Sequence, residues 1–529
     1  MSKSHLSQLD LAHLGELALS HLEKVVAIDS QSDESSAAIP STPGQRVLAA
    51  AVAEFFAALG ATIERDDFAN VIASFPGRGA GADAPALALM VHLDTARGTH
   101  AVPKLNVARG WEGGPIRYPD NPGLEVGVAT YPAVAEFVGQ DVVYGPGDAP
   151  FGLDDKLGLA HLMTLARVLA DNPRIPHPPL LLIGRPDEEV GRMEAVVGLA
   201  RMLGERGVRS GYTVDGILPF EVNVENFNAG HASLHFPDRR LELAPDATAV
   251  EIRIGGVNTH GATAHAEGSR SATRLAAELL AILGADATAI RFASDAVRDC
   301  DAELLLAVDG PDALARVEAA CAAVIGPHRP RGASWRTEAA PAFTAPFESS
   351  AAMDALAFVA AFLASDPGFP LAAEDSYERL GYSAPYRIRP DAESGGVVLD
   401  VRLRDFDPDK LEARKRHVAA LVEGMPGVGI NIVDQYVNMG PRLADRPELV
   451  DWAVAAAAQV GVTPRRFPIR GGTGVDPFLD EGVAVANLGT GYFAPESEKE
   501  LTSVQMMARH AQWLTALVAH VAETSRPTA

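Results

Sequence analysis

Apolar segments that end in acidic residues or histidine are the feature that most constrains how this chain can fold. Three such segments are PALALMVHLD at 85–94, PLLLIGRPDEE at 179–189 and GYTVD at 211–215. Strands buried on both faces of a parallel sheet have near-continuous apolar sequences, so each segment predicts such a strand. In open α/β sheets, functional groups lie just beyond the carboxyl ends of the strands. The residues expected at this edge are His92, Asp94, Glu188, Glu189 and Asp215.

A further acidic pair, Asp154-Asp155, opens a helical pattern over residues 156–170. An imidazole and several carboxylates at one sheet edge form a set of groups that suits divalent metal ions. The sequence therefore predicts a metal site whose ligands are distant from one another in the chain.

Each of these motifs has a simpler interpretation when it is taken alone. An aspartate at a helix start commonly caps the helix, which would account for Asp154-Asp155. Adjacent glutamates in a loop are usually solvated. In the functional interpretation, one glutamate of Glu188-Glu189 binds a metal ion while the other takes a proton from an activated water. His92 and Asp94 share one side of an extended chain, but their spacing does not show whether they are in contact.

Two later motifs carry groups that suit substrate recognition. NTHGATAH at 258–265 contains His260, for which a structural role is the simpler interpretation. PIRGGTG at 468–474 places Arg470 before two glycines, and a guanidinium beside flexible backbone suits a carboxylate. A surface arginine near a turn is the alternative there.

Helical and strand patterns alternate over residues 1–228, and the alternation returns over 439–529. This order predicts an α/β fold with a doubly wound, mixed sheet. Between these segments, residues 229–438 contain strands that alternate apolar and polar residues, such as GVVLDVRL at 396–403, together with helical patterns. They predict an inserted α+β domain with one open sheet face.

Composition excludes several classes of partner. The formal net charge is −24, which argues against nucleic acid or an anionic membrane, because both require a basic face. No uninterrupted apolar run reaches about 18 residues, so no membrane span is predicted. Cys300 and Cys321 stand in no ligand spacing. We therefore expect a protein of a reducing, cytoplasmic setting.

These motifs resemble the peptidase T (tripeptide aminopeptidase) branch of the di-zinc aminoacylase/carboxypeptidase superfamily. The strings that carry the resemblance are PSTPGQ at 40–45, HLDT at 92–95, GLDDKLG at 152–158, RPDEEVGR at 185–192, YTVDG at 212–216, ENFNAG at 225–230, RDFDPDKLEARKR at 404–416, PIRGGT at 468–473 and NLGTG at 487–491. They span most of the chain in the family's order.

The resemblance implies a role for each candidate residue. His92 and Asp215 would bind one zinc ion, Glu189 the second, and Asp154 would bridge both. Asp94 would orient His92. The remaining roles implied are Glu188 as general base and acid, His260 as a group that reaches across a homodimer to the oxyanion, and Arg470 as the site for the substrate's terminal carboxylate. Residues 1–228 and 439–529 would form the catalytic domain, and 229–438 the lid and dimerisation domain.

The chain departs from the family in two ways that bear on the site. The family's last zinc ligand is a histidine soon after NLGTG, and ungapped matching places Glu496 there, with Glu498 as a second candidate. Glutamate oxygen can bind zinc, and the more anionic site would also suit manganese or cobalt. Where the family has an aspartate after GGT, this chain has Gly474.

The other difference is an enlarged inserted domain, with the extra segment expected at about 284–395. The function expected from the resemblance is hydrolysis of short peptides by a metal-dependent exopeptidase. A dipeptidase, a carboxypeptidase or an N-acyl amino acid deacylase is the alternative within hydrolases. A catalytically silent binding protein is the alternative of another class.

Overall fold

A computed structural model describes residues 9–256, 270–295, 300–345, 347–365, 380–469 and 471–525. Contacts divide the chain into two compact units. The first comprises residues 1–121, 127–226 and 438–529, and the second comprises 122–126 and 227–437. The domain limits expected at 228/229 and 438/439 stay a prediction. In the part of the chain described, no helix has the length and apolar character needed to cross a membrane.

The helices of the described residues are named here in chain order. They are α1 Leu11–Val26, α2 Pro43–Ala58, α3 Leu153–Asp171, α4 Glu194–Glu205, α5 Ala272–Leu283, α6 Ala313–Val324, α7 Ala351–Ala364, α8 Pro408–Glu423, α9 Gly440–Leu443, α10 Glu448–Gln459, α11 Asp476–Asp480 and α12 Val504–Thr524.

The strands are named in the same way. They are β1 Thr62–Arg65, β2 Val71–Phe75, β3 Leu87–His92, β4 Asn106–Ala108, β5 Ile116–Arg117, β6 Glu125–Val126, β7 Val142–Tyr144, β8 Leu180–Arg185, β9 Ser210–Gly216, β10 Val222–Asn223, β11 Asn228–Phe236, β12 Arg240–Glu242, β13 Thr248–Gly255, β14 Ala287–Ser294, β15 Ala302–Val308, β16 Ser334–Ala339, β17 Phe347–Ser349, β18 Tyr382–Pro390, β19 Val397–Asp405, β20 Gly429–Tyr436, β21 Ala484–Gly489 and β22 Leu501–Ser503.

A mixed sheet forms the centre of the first unit, in the order β1-β2-β8-β3-β9-β21-β10. Its central strands β8, β3, β9 and β21 run parallel, and the outer pairings are antiparallel. Every residue of β3, β8 and β21 is buried, as their apolar sequences predict. Helix α3 packs against β3 and β9, and also against α1 and α12. The predicted mixed α/β fold is confirmed.

The second unit contains two modules with the same topology. The outer module consists, in chain order, of β11, α7, β18, β19, α8 and β20, and the nested module lies between β11 and α7 in the chain. The sheet order of the outer module is β18-β19-β11-β20. The nested module consists, in chain order, of β13, α5, β14, β15, α6 and β16. Its sheet order is β14-β15-β13-β16. Each is a β-α-β-β-α-β arrangement. One hydrophobic cluster contains residues of both modules, such as Leu304 and Leu399.

The nested module spans residues 248–339, so it begins before the expected extra segment at 284–395. Two helices, α6 and α7, lie within the segment 284–395. The strands β14, β15 and β16 were not predicted. Their sequences contain several alanines, which weaken the contrast between apolar and polar positions on which a strand prediction relies.

Candidate metal centre

The parallel pairing of three strands brings their carboxyl ends to one edge of the sheet. In the register of β3 with β8, His92 lies opposite Arg185, so the segment PDEE follows directly beyond the edge. In the register of β3 with β9, Met90 lies opposite Thr213. Asp215, two residues further along β9, therefore reaches the level of His92. The pairing of these strands thus brings groups from three distant segments together.

His92 lies at the centre of the first group of possible ligands. Its Nε2 atom is 2.9 Å from Oδ1 of Asp154 and 3.3 Å from Oδ1 of Asp215. Its Nδ1 atom is 3.0 Å from the backbone oxygen of Asp94. An Nδ1–H that donates to this carbonyl leaves the Nε2 lone pair directed at the carboxylates. This is the tautomer that a metal ligand requires.

The two aspartates at the start of α3 have different roles, and the peptide bond between them is cis. Asp155 is a capping residue, because its carboxylate accepts hydrogen bonds from the backbone N–H groups of Gly158 and His92, both at 3.2 Å. Asp154 is not helical, with φ −87° and ψ 107°, and its carboxylate faces the imidazole of His92. The capping interpretation therefore holds for Asp155, while Asp154 belongs to the site.

A second group of possible ligands shares Asp154 with the first. One carboxylate oxygen from each of Asp154, Glu189 and Glu496 lies within 4.8 Å of the others. His92, Asp154 and Asp215 meet the same criterion as the first group. Glu496, the residue at the position of the family's histidine, thus lies with the other candidates.

The acidic groups of both clusters are partly buried, and burial shifts the pKa of several groups at the site. Burial raises the pKa of Asp215 to about 7. Burial raises the pKa of Glu189 well above its usual range, and the nearby carboxylate of Glu496 raises it further. For His92, burial lowers the pKa, but Asp215, Asp154 and Asp94 outweigh this effect and raise it well above its usual value. Without a cation, the site must bind protons to relieve the repulsion between its carboxylates.

The donor groups fit divalent metal ions. The Oε1 atom of Glu189 is buried and has no hydrogen-bond partner within the described residues. A buried carboxylate oxygen without a partner is costly unless a cation or proton satisfies it. One imidazole nitrogen together with carboxylate oxygens is a donor set found for zinc, manganese and cobalt.

Asp94 and Glu188 are held together at the same edge. The carboxylate of Asp94 accepts hydrogen bonds from the backbone N–H groups of Glu188 at 2.9 Å and Glu189 at 3.1 Å. Its Oδ1 atom is also 3.5 Å from Nδ1 of His92. Asp94 therefore fixes the turn that carries both glutamates as well as facing the imidazole. The Glu188 side chain is 15% exposed, and burial raises its pKa.

The segment PSTPGQ at 40–45 holds Asp187 by hydrogen bonds that could not be seen in the sequence. Asp187 is fully buried, and its carboxylate accepts hydrogen bonds from Ser41 N at 2.8 Å and from Gln45 Nε2 at 2.7 Å. Gln45 Oε1 in turn accepts a hydrogen bond from Asp187 N at 3.1 Å. Tyr492 was also missed, and its hydroxyl donates to Asp154 Oδ2 at 2.9 Å. Asp187 and Gln45 lie in strings that carried the resemblance, and Tyr492 directly follows NLGTG, but spacing gave no sign of the pairings.

The structure also shows why a glycine stands at position 474. The guanidinium of Arg185 is buried, and it donates to the carbonyl oxygens of Thr473 at 2.8 Å and Gly474 at 3.1 Å. A Cβ atom on Gly474 would lie 2.1 Å from Arg185 Nη1, and the φ angle of Gly474 is +56°. Arg185 Nη2 is also 3.8 Å from Glu188 Oε1. Arg185 therefore fills the space that a side chain at 474 would need. His260 and Arg470 lie outside the described residues.

Several known proteins are similar to this chain. A family model described as "Peptidase family M20/M25/M40" matches residues 130–520. Peptidase T of Bacillus cereus (strain ATCC 10987) is 26% identical to this chain over 499 residues, which cover 92% of this chain and 94% of that protein. The resemblance to peptidase T is thereby confirmed.

Solved structures show a similar fold. The crystal structure of aminopeptidase PepT from Bacillus cereus has a TM-score of 0.51 at 18% identity, covering 96% of this chain and 99% of that one. The di-peptidase Dug1p from Saccharomyces cerevisiae has a TM-score of 0.53 at 13% identity, covering 99% and 100%.

The close approach of Gly474 to Arg185 generates a prediction about stability. We expect Gly474→Ala to lower the free energy of unfolding by about 1–2 kcal/mol for the left-handed backbone, and by about 1–3 kcal/mol more for displacing the guanidinium. Gly461→Ala is the matched control, because Gly461 has a φ of +67° and open space around its Cβ position. Urea unfolding measures both. Equal losses for the two variants would show that Arg185 does not restrict position 474.

Proposed function

The chain belongs to peptidase family M20/M25/M40 and is a metallo-exopeptidase, and from this premise we propose that it releases residues from short peptides with a free N-terminus. The observation that carries the proposal is the convergence of one imidazole and four partly buried carboxylates from five distant segments. The alternative hypothesis of a catalytically silent binding protein rested mainly on the absence of the family's histidine. Because Glu496 lies among the other acidic groups, that argument is much weaker.

Two divalent ions would be held at the centre, zinc being the first expectation and manganese or cobalt the alternatives. His92, Asp154 and Asp215 would hold one ion, and Asp154, Glu189 and Glu496 the other. When bound, such ions polarise a scissile carbonyl and make a water a stronger nucleophile at neutral pH. The replacement of a nitrogen ligand by the Glu496 carboxylate makes the second site harder and more anionic.

Glu188 is the residue best placed to move the proton. Asp94 holds its backbone, and its side chain keeps some exposure beside the cluster. Glu188 takes a proton from water as the oxygen attacks the carbonyl carbon, and then gives that proton to the nitrogen of the departing amine. The peptide C–N bond breaks, and one water is consumed for each bond cleaved. His260 would stabilise the oxyanion and Arg470 would bind the terminal carboxylate, both by resemblance.

The proposed roles of Glu188 and Glu496 are separated by a pair of variants. Glu188→Gln should lower kcat by about 10²- to 10⁴-fold, because the proton acceptor is lost. It should leave the metal content at the wild-type level. Glu496→Ala should instead reduce the metal content, because a ligand is removed. Peptide hydrolysis and elemental analysis of the same preparations measure both effects. Unchanged turnover in Glu188→Gln would contradict the assignment of the base.

The substrate class is tested by comparing related peptides. The filled space at Gly474 and the enlarged insertion are reasons to examine dipeptidase, carboxypeptidase and N-acyl amino acid deacylase activities as well. We expect tripeptides with a free N-terminus to give the largest kcat/KM, followed by dipeptides, with N-acetylated peptides poorest. N-acyl amino acids and C-terminally amidated tripeptides complete the panel. Preference for N-acylated substrates would overturn the aminopeptidase assignment and retain the metallohydrolase.

We propose a homodimer that forms through the outer module. Strand β20 is at the end of its sheet among the described strands, and it exposes Ile430 and Val433 by 37% and 46%. An exposed edge strand offers unpaired backbone groups to a second copy. The alternative state is a monomer, because the nested module has the same topology as the outer module and the chain thus already contains two such modules. The chain contains only two cysteines, Cys300 and Cys321, and both are buried; so low a cysteine content supports the proposal of a cytoplasmic setting.

A lysine in the edge strand tests the dimer. Val433→Lys should shift the population toward monomer, because edge lysines oppose strand pairing between molecules. Light scattering after size exclusion measures the mass, with Val197→Lys on α4 as the exposed control. A wild-type monomer, or a Val433→Lys dimer of unchanged stability on dilution, would contradict the proposed interface.

A further inference from the structure

Glu500 is a buried carboxylate close to the metal centre that belongs to neither group of possible ligands. It is fully buried in the segment between β21 and β22. Its Oε2 atom accepts hydrogen bonds from the backbone N–H groups of Phe151 at 2.9 Å, Gly152 at 2.9 Å and Leu153 at 3.3 Å. Its Oε1 atom accepts a hydrogen bond from the backbone N–H of Glu496 at 3.0 Å. One carboxylate thus binds two chain segments that are more than 340 residues apart in sequence.

Both segments carry a candidate ligand. Residues 151–153 directly precede Asp154, the only residue common to the two groups of ligands, and Glu496 is itself a member of the second group. The distance between the two Oε atoms of one carboxylate is fixed by covalent geometry. Glu500 therefore sets the separation between the backbone at Leu153 and the backbone at Glu496.

Neither Gly152 nor Glu496 lies in a helix or a strand. Gly152 has a φ of +85° and Glu496 a φ of +53°. For a residue with a side chain, the left-handed region is sterically unfavourable, so Glu496 needs an external contact to keep it. Buried backbone N–H groups also require acceptors. Glu500 supplies the acceptor for all of the N–H groups named above.

We propose that Glu500 is a positioning residue that holds Asp154 and Glu496 at the spacing needed to share the second metal ion. The proposal rests on the metal centre described under Proposed function. The effect should fall mainly on the ion held by Asp154, Glu189 and Glu496. The other ion would be held by Asp154 together with His92 and Asp215. His92 and Asp215 lie on the strands β3 and β9 and do not depend on the loop at 494–500, so this ion keeps two ligands that Glu500 does not position.

The test replaces Glu500 by glutamine, which has nearly the same shape. An amide has one acceptor oxygen and one donor nitrogen, so its NH₂ group must face either Glu496 N–H or the N–H groups of residues 151–153. One segment therefore loses its acceptor. Removing the hydrogen-bond partners of metal ligands typically costs 10- to 100-fold in metal affinity. We expect Glu500→Gln to weaken the second Co²⁺ binding step by that factor and to change the first step by less than threefold.

Binding is measured by titrating the metal-free protein with Co²⁺ and following absorption and heat. Glu496→Ala is the reference for loss of the second step, and the Glu500→Gln, Glu496→Ala double variant should bind no worse than Glu496→Ala. Asp66→Asn is the matched control, because the Asp66 carboxylate accepts the backbone N–H groups of Phe68 at 3.0 Å and Asn70 at 2.9 Å in a turn between β1 and β2. It should leave both steps unchanged.

Two results would decide against the proposal, and a third would decide against the metal centre. If folded Glu500→Gln binds both ions with wild-type affinity, Glu500 does not position the ligands. If Glu500→Gln fails to fold, Glu500→Asp keeps the charge with a shorter side chain, and wild-type affinity in that variant would equally overturn the proposal. A wild-type protein that binds no Co²⁺ would instead refute the proposed metal centre itself.

Discussion

The burial of several carboxylates around one imidazole is the constraint on which the rest of the structure depends. Asp154 belongs to both groups of possible ligands, so its position decides whether two ions can be neighbours. Like charges in buried surroundings repel strongly, and each loses favourable hydration. The fold must therefore hold these groups together against their repulsion until cations bind. Parallel strands do so for His92 and Asp215, whereas Asp154 and Glu496 rely on hydrogen bonds from side chains elsewhere in the chain.

The strand ends could be predicted because they follow from a local pattern. A continuous apolar run indicates a strand buried on both faces, and parallel strands must end at a common edge. This reasoning predicts the buried strands β3 and β8. It also predicts three of the candidate ligands, His92, Glu189 and Asp215. Glu496 could be named only through the resemblance, because nothing in NLGTGYFAPESEKELTS indicates which of its acids faces inward. Its φ of +53° is a property of the folded loop.

The supporting contacts could not be predicted, because each joins residues that are far apart and gives no periodic signal. Asp187 with Gln45, and Glu500 with Phe151, are separated by 142 and 349 positions. The repeated topology of the second unit was hidden for a related reason. The nested strands β13–β16 and the outer strands share an order of elements but no visible sequence repeat. A common order of strands and helices constrains where apolar residues fall and leaves their identity open.

Both departures from the family pattern at the site, Gly474 and Glu496, can be understood from the residues that lie beside them. Gly474 has no side chain, and the guanidinium of Arg185 fills the space beside it. Glu496 brings an added negative charge to the cluster, next to Glu189, whose pKa it helps to raise. The added charge makes the bare site less stable and, for the same reason, increases its attraction for a divalent cation. The loss of the histidine thus strengthens the electrostatic need for the second ion, while the softer nitrogen ligand that favours zinc is gone.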